Sequence, residues 1–149
     1  MNKEDAMKLS LIAMITAVTV ASPALAQDVE KGKNEFKRCK ACHSIVAPDG
    51  TAIYKGGKVG PNLYNVIGRK VASVDGYKYK DGIKEYADTG AVWTEELLAE
   101  YITDPSKFLE EQTGDPKAKS GMAYKQRKDQ ADIAAYLGSA EVSPDAPAS

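Results

Sequence analysis

The chain has 149 residues with 20 basic and 21 acidic side chains, a formal net charge of −1, and that length suits one domain rather than two. So even a balance predicts no strong affinity for nucleic acid. Two cysteines and one histidine fall one short of the four N or S ligands that a structural zinc site wants.

Residues 1–26 are set aside from the fold. Leu9 to Ala21 is an apolar run preceded by Lys8 and followed by the small-residue pattern Ala24-Leu25-Ala26, which reads as a secretory signal peptide cleaved after Ala26. The run is shorter than the roughly 20 apolar residues of a spanning helix, so no membrane anchor is expected. Glu4 and Asp5 sit where such signals are usually basic, and translation from Met7 would give a cleaner entry to the run; the start is open between Met1 and Met7. Cleavage removes Lys3, Lys8, Glu4 and Asp5 and leaves 18 basic and 19 acidic residues. Export places the chain in the oxidising periplasm, where two cysteines ordinarily pair.

The mature chain divides into one domain, 27–138, and a flexible tail, 139–149. Asp28 is a plausible helix cap, and Val29, Gly32 and Phe36 form a sparse apolar stripe, so a short helix is expected to run into the cysteines. From Ala47 to Gly60, Pro48-Asp49-Gly50 and Lys55-Gly56-Gly57-Lys58 predict an irregular loop, and Val71 to Gly90 reads the same way. Thr94 caps a helix whose first turn holds Glu95 and Glu96 and whose apolar side is Leu97, Leu98, Tyr101 and Ile102. It stops at Asp104, because the residue before a proline is driven out of the α region, and Pro105 to Phe108 can begin another helix. Glu111 to Lys119 is a polar loop. Asp129 to Leu137 is a last helix with Gly138 as terminator, and Glu141 to Ser149, rich in Pro, Ala and Ser, reads as disordered. No strand of convincing alternation appears.

Cys39-Lys40-Ala41-Cys42-His43 is the haem-attachment signature: two thiols add to the two vinyl groups of one porphyrin and the next residue offers an imidazole to the iron. A thioredoxin-like pair would need a βαβ context that this loop-rich helical pattern lacks, while a plain disulfide stays open. A six-coordinate iron needs a second axial ligand. His43 is the only histidine, and after signal removal Met122 is the only methionine; it lies in the polar, glycine-containing segment Lys119-Ser120-Gly121-Met122-Ala123-Tyr124 rather than on an apolar helix face. Histidine opposite methionine raises the reduction potential and fills both axial positions. The expectation is a low-spin, one-electron carrier rather than an enzyme.

Together these residues resemble the class I c-type cytochromes, most closely the bacterial cytochromes c2, from about Asp28 to Leu137. Asp28-Val29-Glu30-Lys31-Gly32 with Phe36 resembles the family's first helix, Gly60-Pro61-Asn62-Leu63 and Gly68-Arg69-Lys70 its loop after the haem motif, and Trp93 with Tyr101 its haem-facing helix. Three loops are longer than in the shortest members. The resemblance implies an all-α cytochrome c fold of about four or five short helices and long loops around one covalent haem c. It implies that the Pro61 carbonyl accepts the His43 ring N–H, that Arg69, Tyr79 and Trp93 lie near the haem propionates, and that Tyr101 lies near the Met122 sulfur. It also implies that Gly32 meets the C-terminal helix through Ile133 and Tyr136.

Charge is unevenly spread. Lys31, Lys33, Lys37, Arg38 and Lys40 approach the cysteines, Lys117, Lys119, Lys125, Arg127 and Lys128 flank Met122, and residues 85–115 hold nine acids and only Lys107. The pattern predicts a basic ring around the haem edge, with Lys37, Lys40, Lys58, Lys117, Lys119, Lys125 and Lys128 as docking residues, and an acidic opposite side. Such a monomer would dock by a small, salt-sensitive interface; the resemblance implies a cytochrome bc1 complex as donor and a photosynthetic reaction centre or terminal oxidase as acceptor. Two other readings stay open: a haem enzyme or gas-binding protein with a free sixth position, and a fixed subunit of a larger oxidoreductase.

Overall fold

Local capping sets the first helix of the computed structural model, which describes residues 27–147; the expected signal peptide lies outside them. The Asp28 carboxylate accepts the Lys31 N–H at the start of α1 (Val29–Glu35), and a 3-10 turn over Phe36–Arg38 carries the chain on to Cys39. α2 (Asp81–Asp88), α3 (Glu95–Thr103), α4 (Pro105–Thr113) and α5 (Gln130–Gly138) complete the helices of the described residues. Among those residues no helix is long and apolar enough to cross a membrane.

The all-α expectation holds, with four local corrections. The first loop contains a short antiparallel hairpin, β1 (Ile45–Val46) against β2 (Ala52–Tyr54), whose strands are too short to show alternation. The second loop contains α2. Its buried Ile83 and Tyr86 stand at helical spacing, but Lys80 at the N-cap makes no side-chain cap bond, so the start signal is missing. α4 runs past Phe108 to Thr113, three residues into the expected polar loop, and ends on left-handed Gly114. The fourth concerns residues 139–147, which pack onto the domain: Val142 is fully buried and the Ser143 hydroxyl donates to the Leu137 carbonyl at 2.7 Å.

The helix break at Asp104 falls where expected. Asp104 is extended at φ −155°, ψ 92°, and its carboxylate caps the next helix at the Lys107 N–H. Tyr86 of α2, Phe108 of α4, and Trp93 and Tyr101 beside and within α3 then meet ring to ring, with Tyr86–Phe108 at 5.3 Å and Trp93–Tyr101 at 5.1 Å. Phe36, fully buried, stands edge-on to Tyr54 of the hairpin at 4.8 Å and to Tyr136 of α5 at 5.8 Å. The haem motif therefore leaves α1 at a point fixed on two sides.

α1 and α5 cross at Gly32, where a Cβ would stand 1.9 Å from the Asp132 carbonyl oxygen and 3.0 Å from the Ile133 nitrogen. Beside the crossing, the Asp132 carboxylate accepts the Asp28 backbone N–H at 2.9 Å and pairs with Lys31 at 2.9 Å. The Asp28 bond first, then Lys31, holds its pKa below the ordinary value. A folded-state pKa below the unfolded one adds stability above about pH 4 that is lost as pH falls through the folded value. Asp132→Asn is therefore expected to lower the denaturation midpoint at pH 7 and to flatten the loss of stability below about pH 5, read from denaturant titrations across that range.

Candidate haem site

The chain winds tightly through the haem motif: the N–H groups of Cys42 and His43 both donate to the Cys39 carbonyl, at 3.1 and 3.0 Å. Both thiols thus come from a single turn, and they are not joined. Burial pushes the Cys39 thiol up to about 11, the reverse of the depressed thiol that a redox-active pair uses.

His43 donates from Nδ1 to the Pro61 carbonyl at 2.8 Å. A carbonyl can only accept, so Nδ1 carries the hydrogen and the neutral ring keeps its lone pair on Nε2. Burial holds the imidazole pKa below its ordinary value against the opposing effect of the Pro61 bond, and the Arg69 charge acts with burial; the neutral form is the one that ligates. Pro61 is itself fixed. The Gly60 N–H donates to the Cys42 carbonyl at 2.7 Å, the Leu63 N–H donates to the Ser44 carbonyl at 3.1 Å, and the Asn62 amide bonds Val46 in both directions at 3.0 and 2.8 Å. A Cβ at residue 60 would come within 2.3 Å of His43 Cε1, so only glycine lets this loop pass over the imidazole.

Met122 is half-buried and packs against the core. Its segment hangs on one hydroxyl: Ser120 Oγ lies 2.6 Å from the Tyr101 hydroxyl and accepts the Met122 N–H at 3.0 Å. The Ser120 N–H donates in turn to Ser106 Oγ on α4 at 3.1 Å. Tyr101, expected beside the sulfur, thus reaches the methionine segment through Ser120.

The remaining candidates are Arg69, Trp93 and Tyr79. Arg69, with its pKa lowered by burial, donates from Nη1 to the carbonyls of Asn62 and Tyr64 at 3.0 and 2.9 Å. Its own carbonyl accepts the Trp93 N–H at 2.9 Å. Tyr79 lies within electrostatic reach of Arg69 and Tyr101, its ring 4.7 Å from Tyr77 and its hydroxyl accepting the Val74 N–H at 3.2 Å. Asn62, Ser106 and Ser120 act through hydrogen bonds that cross the fold, and only the neighbours Pro61 and Met122 mark two of them in the sequence.

The donor set fits one haem c: two unjoined thiols on one turn, a neutral imidazole with Nε2 left to ligate, and a thioether held on a separate segment. Comparison with known proteins agrees. No family model matches the chain. It is 55% identical to cytochrome c-550 of Paracoccus versutus over 144 residues, 94% of this chain and 92% of the relative. It is 52% identical to cytochrome c2 of Rhodobacter capsulatus, over 89% of this chain and 98% of the relative. The solved structure of the cytochrome c2 isolated from Paracoccus denitrificans matches with a TM-score of 0.76 at 55% identity, covering 80% of this chain and 98% of that one. The chain belongs to the class I c-type cytochromes, in the family of cytochromes c2 and c-550. Its work is electron transfer, and its cofactor is one covalently attached haem c.

Proposed function

We propose that Cys39 and Cys42 form the thioether links, that His43 and Met122 are the axial ligands, and that the monomer carries single electrons through the periplasm. The donor is a cytochrome bc1 complex and the acceptor a photosynthetic reaction centre or a terminal oxidase. The observation that carries the ligand assignment is the Pro61–His43 bond, which commits Nδ1 and leaves Nε2 for iron. The haem supplies the one-electron iron couple. The chain's own residues do the rest: Pro61 orients the imidazole, Ser120 holds the methionine segment, and the cluster of Trp93, Tyr101 and Phe108 keeps water out. The ferric protein is expected to be low-spin with a weak red methionine-to-iron band, and the ferrous protein to ignore carbon monoxide. Carbon monoxide binding would instead establish an open sixth position.

The expected docking lysines fall into two groups. Lys119 pairs with Glu110, Lys125 with Asp104 at 2.6 Å, and Lys128 lies 3.7 Å from Asp129. Among the described residues Lys37, Lys40, Lys58 and Lys117 have no such partner, nor has Arg127. Acids of the 85–115 stretch therefore reach lysines beside Met122, and the acidic charge is not all on an opposite side. A lysine already held by a carboxylate presents a dipole rather than a charge, so the unpaired set carries docking. Lys40→Gln with Lys58→Gln is expected to slow reduction by a bc1 complex by about an order of magnitude at low salt, the gap closing as salt rises. Removing a neutral pair, Lys119→Gln with Glu110→Gln, is expected to leave the rate within about twofold; stopped-flow rates against ionic strength check both.

A further inference from the structure

The C-terminal segment is tied to the loop that holds His43. The Val142 carbonyl accepts the Asn65 N–H at 2.8 Å. The Asp145 carboxylate accepts from the Asn65 amide at 2.7 Å, and the Asp145 N–H donates back to it at 3.2 Å. Ser143 Oγ accepts the Ile67 N–H at 3.3 Å while donating to the Leu137 carbonyl at the end of α5. Asn65 sits in the left-handed region at φ 53°, a conformation that a residue other than glycine keeps only when its surroundings fix it. Here three of its hydrogen bonds run to the segment 142–145.

We propose that residues 142–145 are a positioning strap for the loop 60–69 and, through it, for the Pro61–His43 hydrogen bond. Inside the loop the Val66 N–H bonds the Leu63 carbonyl at 3.2 Å and the Arg69 N–H bonds the Val66 carbonyl at 3.2 Å. The Arg69 guanidinium closes the loop from within on the carbonyls of Asn62 and Tyr64. One side of this closed turn leans on His43 and Ser44; the strap bonds the other side at Asn65 and Ile67. With the strap in place the loop has one arrangement, and the Pro61 carbonyl stays on the His43 Nδ1 hydrogen. Without it the left-handed turn at Asn65 loses the bonds that fix it, and the carbonyl is freer to leave the ring.

The inference rests on His43 being an iron ligand. The test uses the haem-loaded ferrous protein, full-length and ending at Ala140, and follows by NMR the solvent exchange of the His43 Nδ1 hydrogen and the Leu63 N–H against that of Gly32 in α1. The shortened chain is expected to exchange both at least tenfold faster relative to Gly32. Should the shortened chain fail to hold haem, Ser143→Ala with Asp145→Ala carries the same test in a chain of full length. Equal relative rates with and without the strap would overturn the proposal, because a segment that only adds global stability moves all three protons together. Failure of the ligand reading shows elsewhere, as a full-length protein that is not low-spin.

Discussion

Replacing Met122 by alanine is expected to lower the reduction potential by on the order of a few hundred millivolts, within the roughly 0.8 V over which axial ligands set haem potentials. The thioether favours the ferrous state, and the harder ligand that takes its place favours the ferric one. The fold should survive. Met122 is only half-buried, and its segment is held by the Ser120 bonds to Tyr101 and to its own backbone rather than by the sulfur. Redox titration with ferric spectra checks this: the red band should vanish while the helical circular dichroism stays. A variant with the parent potential and spectrum would remove Met122 from the iron.

Gly32→Ala should destabilise the protein by about 3 kcal/mol or more, the upper end of the cost of forcing atoms into a packed core. Helix propensity alone argues the other way, since alanine is better than glycine inside a helix by up to about 1 kcal/mol. Geometry decides the sign. The added carbon would stand 1.9 Å from the Asp132 carbonyl oxygen, and that neighbour is backbone within α5, which cannot swing aside like a side-chain tip. α1 and α5 would have to separate along their crossing, opening contacts of Phe36 with Tyr136. Guanidinium unfolding of the haem-loaded protein should show a lower midpoint at an unchanged slope.

What the sequence made legible was written in local chemistry. The Thr94 cap and the break at Asp104-Pro105 each depend on a few adjacent residues, and each lies where it was expected. The haem motif and the lone methionine could be read for the same reason. At Gly32 the neighbours are the backbones of Asp132 and Ile133, where the resemblance implied Ile133 and Tyr136. α2 was hidden because Lys80 supplies no cap and Gly82 breaks the propensity of its first turn. The docked C-terminal segment was hidden by composition: Pro, Ala and Ser look disordered until Val142 and Ser143 find partners at Asn65 and Ile67, some 76 residues away for the Ser143 bond. Lysine pairing was invisible too, because Glu110 and Asp104 reach lysines on a separate segment beyond α4. Local signals show where elements begin and end; long-range contacts decide which charges are left over.

The crossing of α1 with α5 also governs when this chain can acquire its shape. Asp28 and Asp132 are 104 positions apart, so a polypeptide emerging amino end first offers α1 no mate until α5 has emerged as well. A lone seven-residue helix is too short to persist in water. α1 therefore holds its shape only once α5 has packed against it.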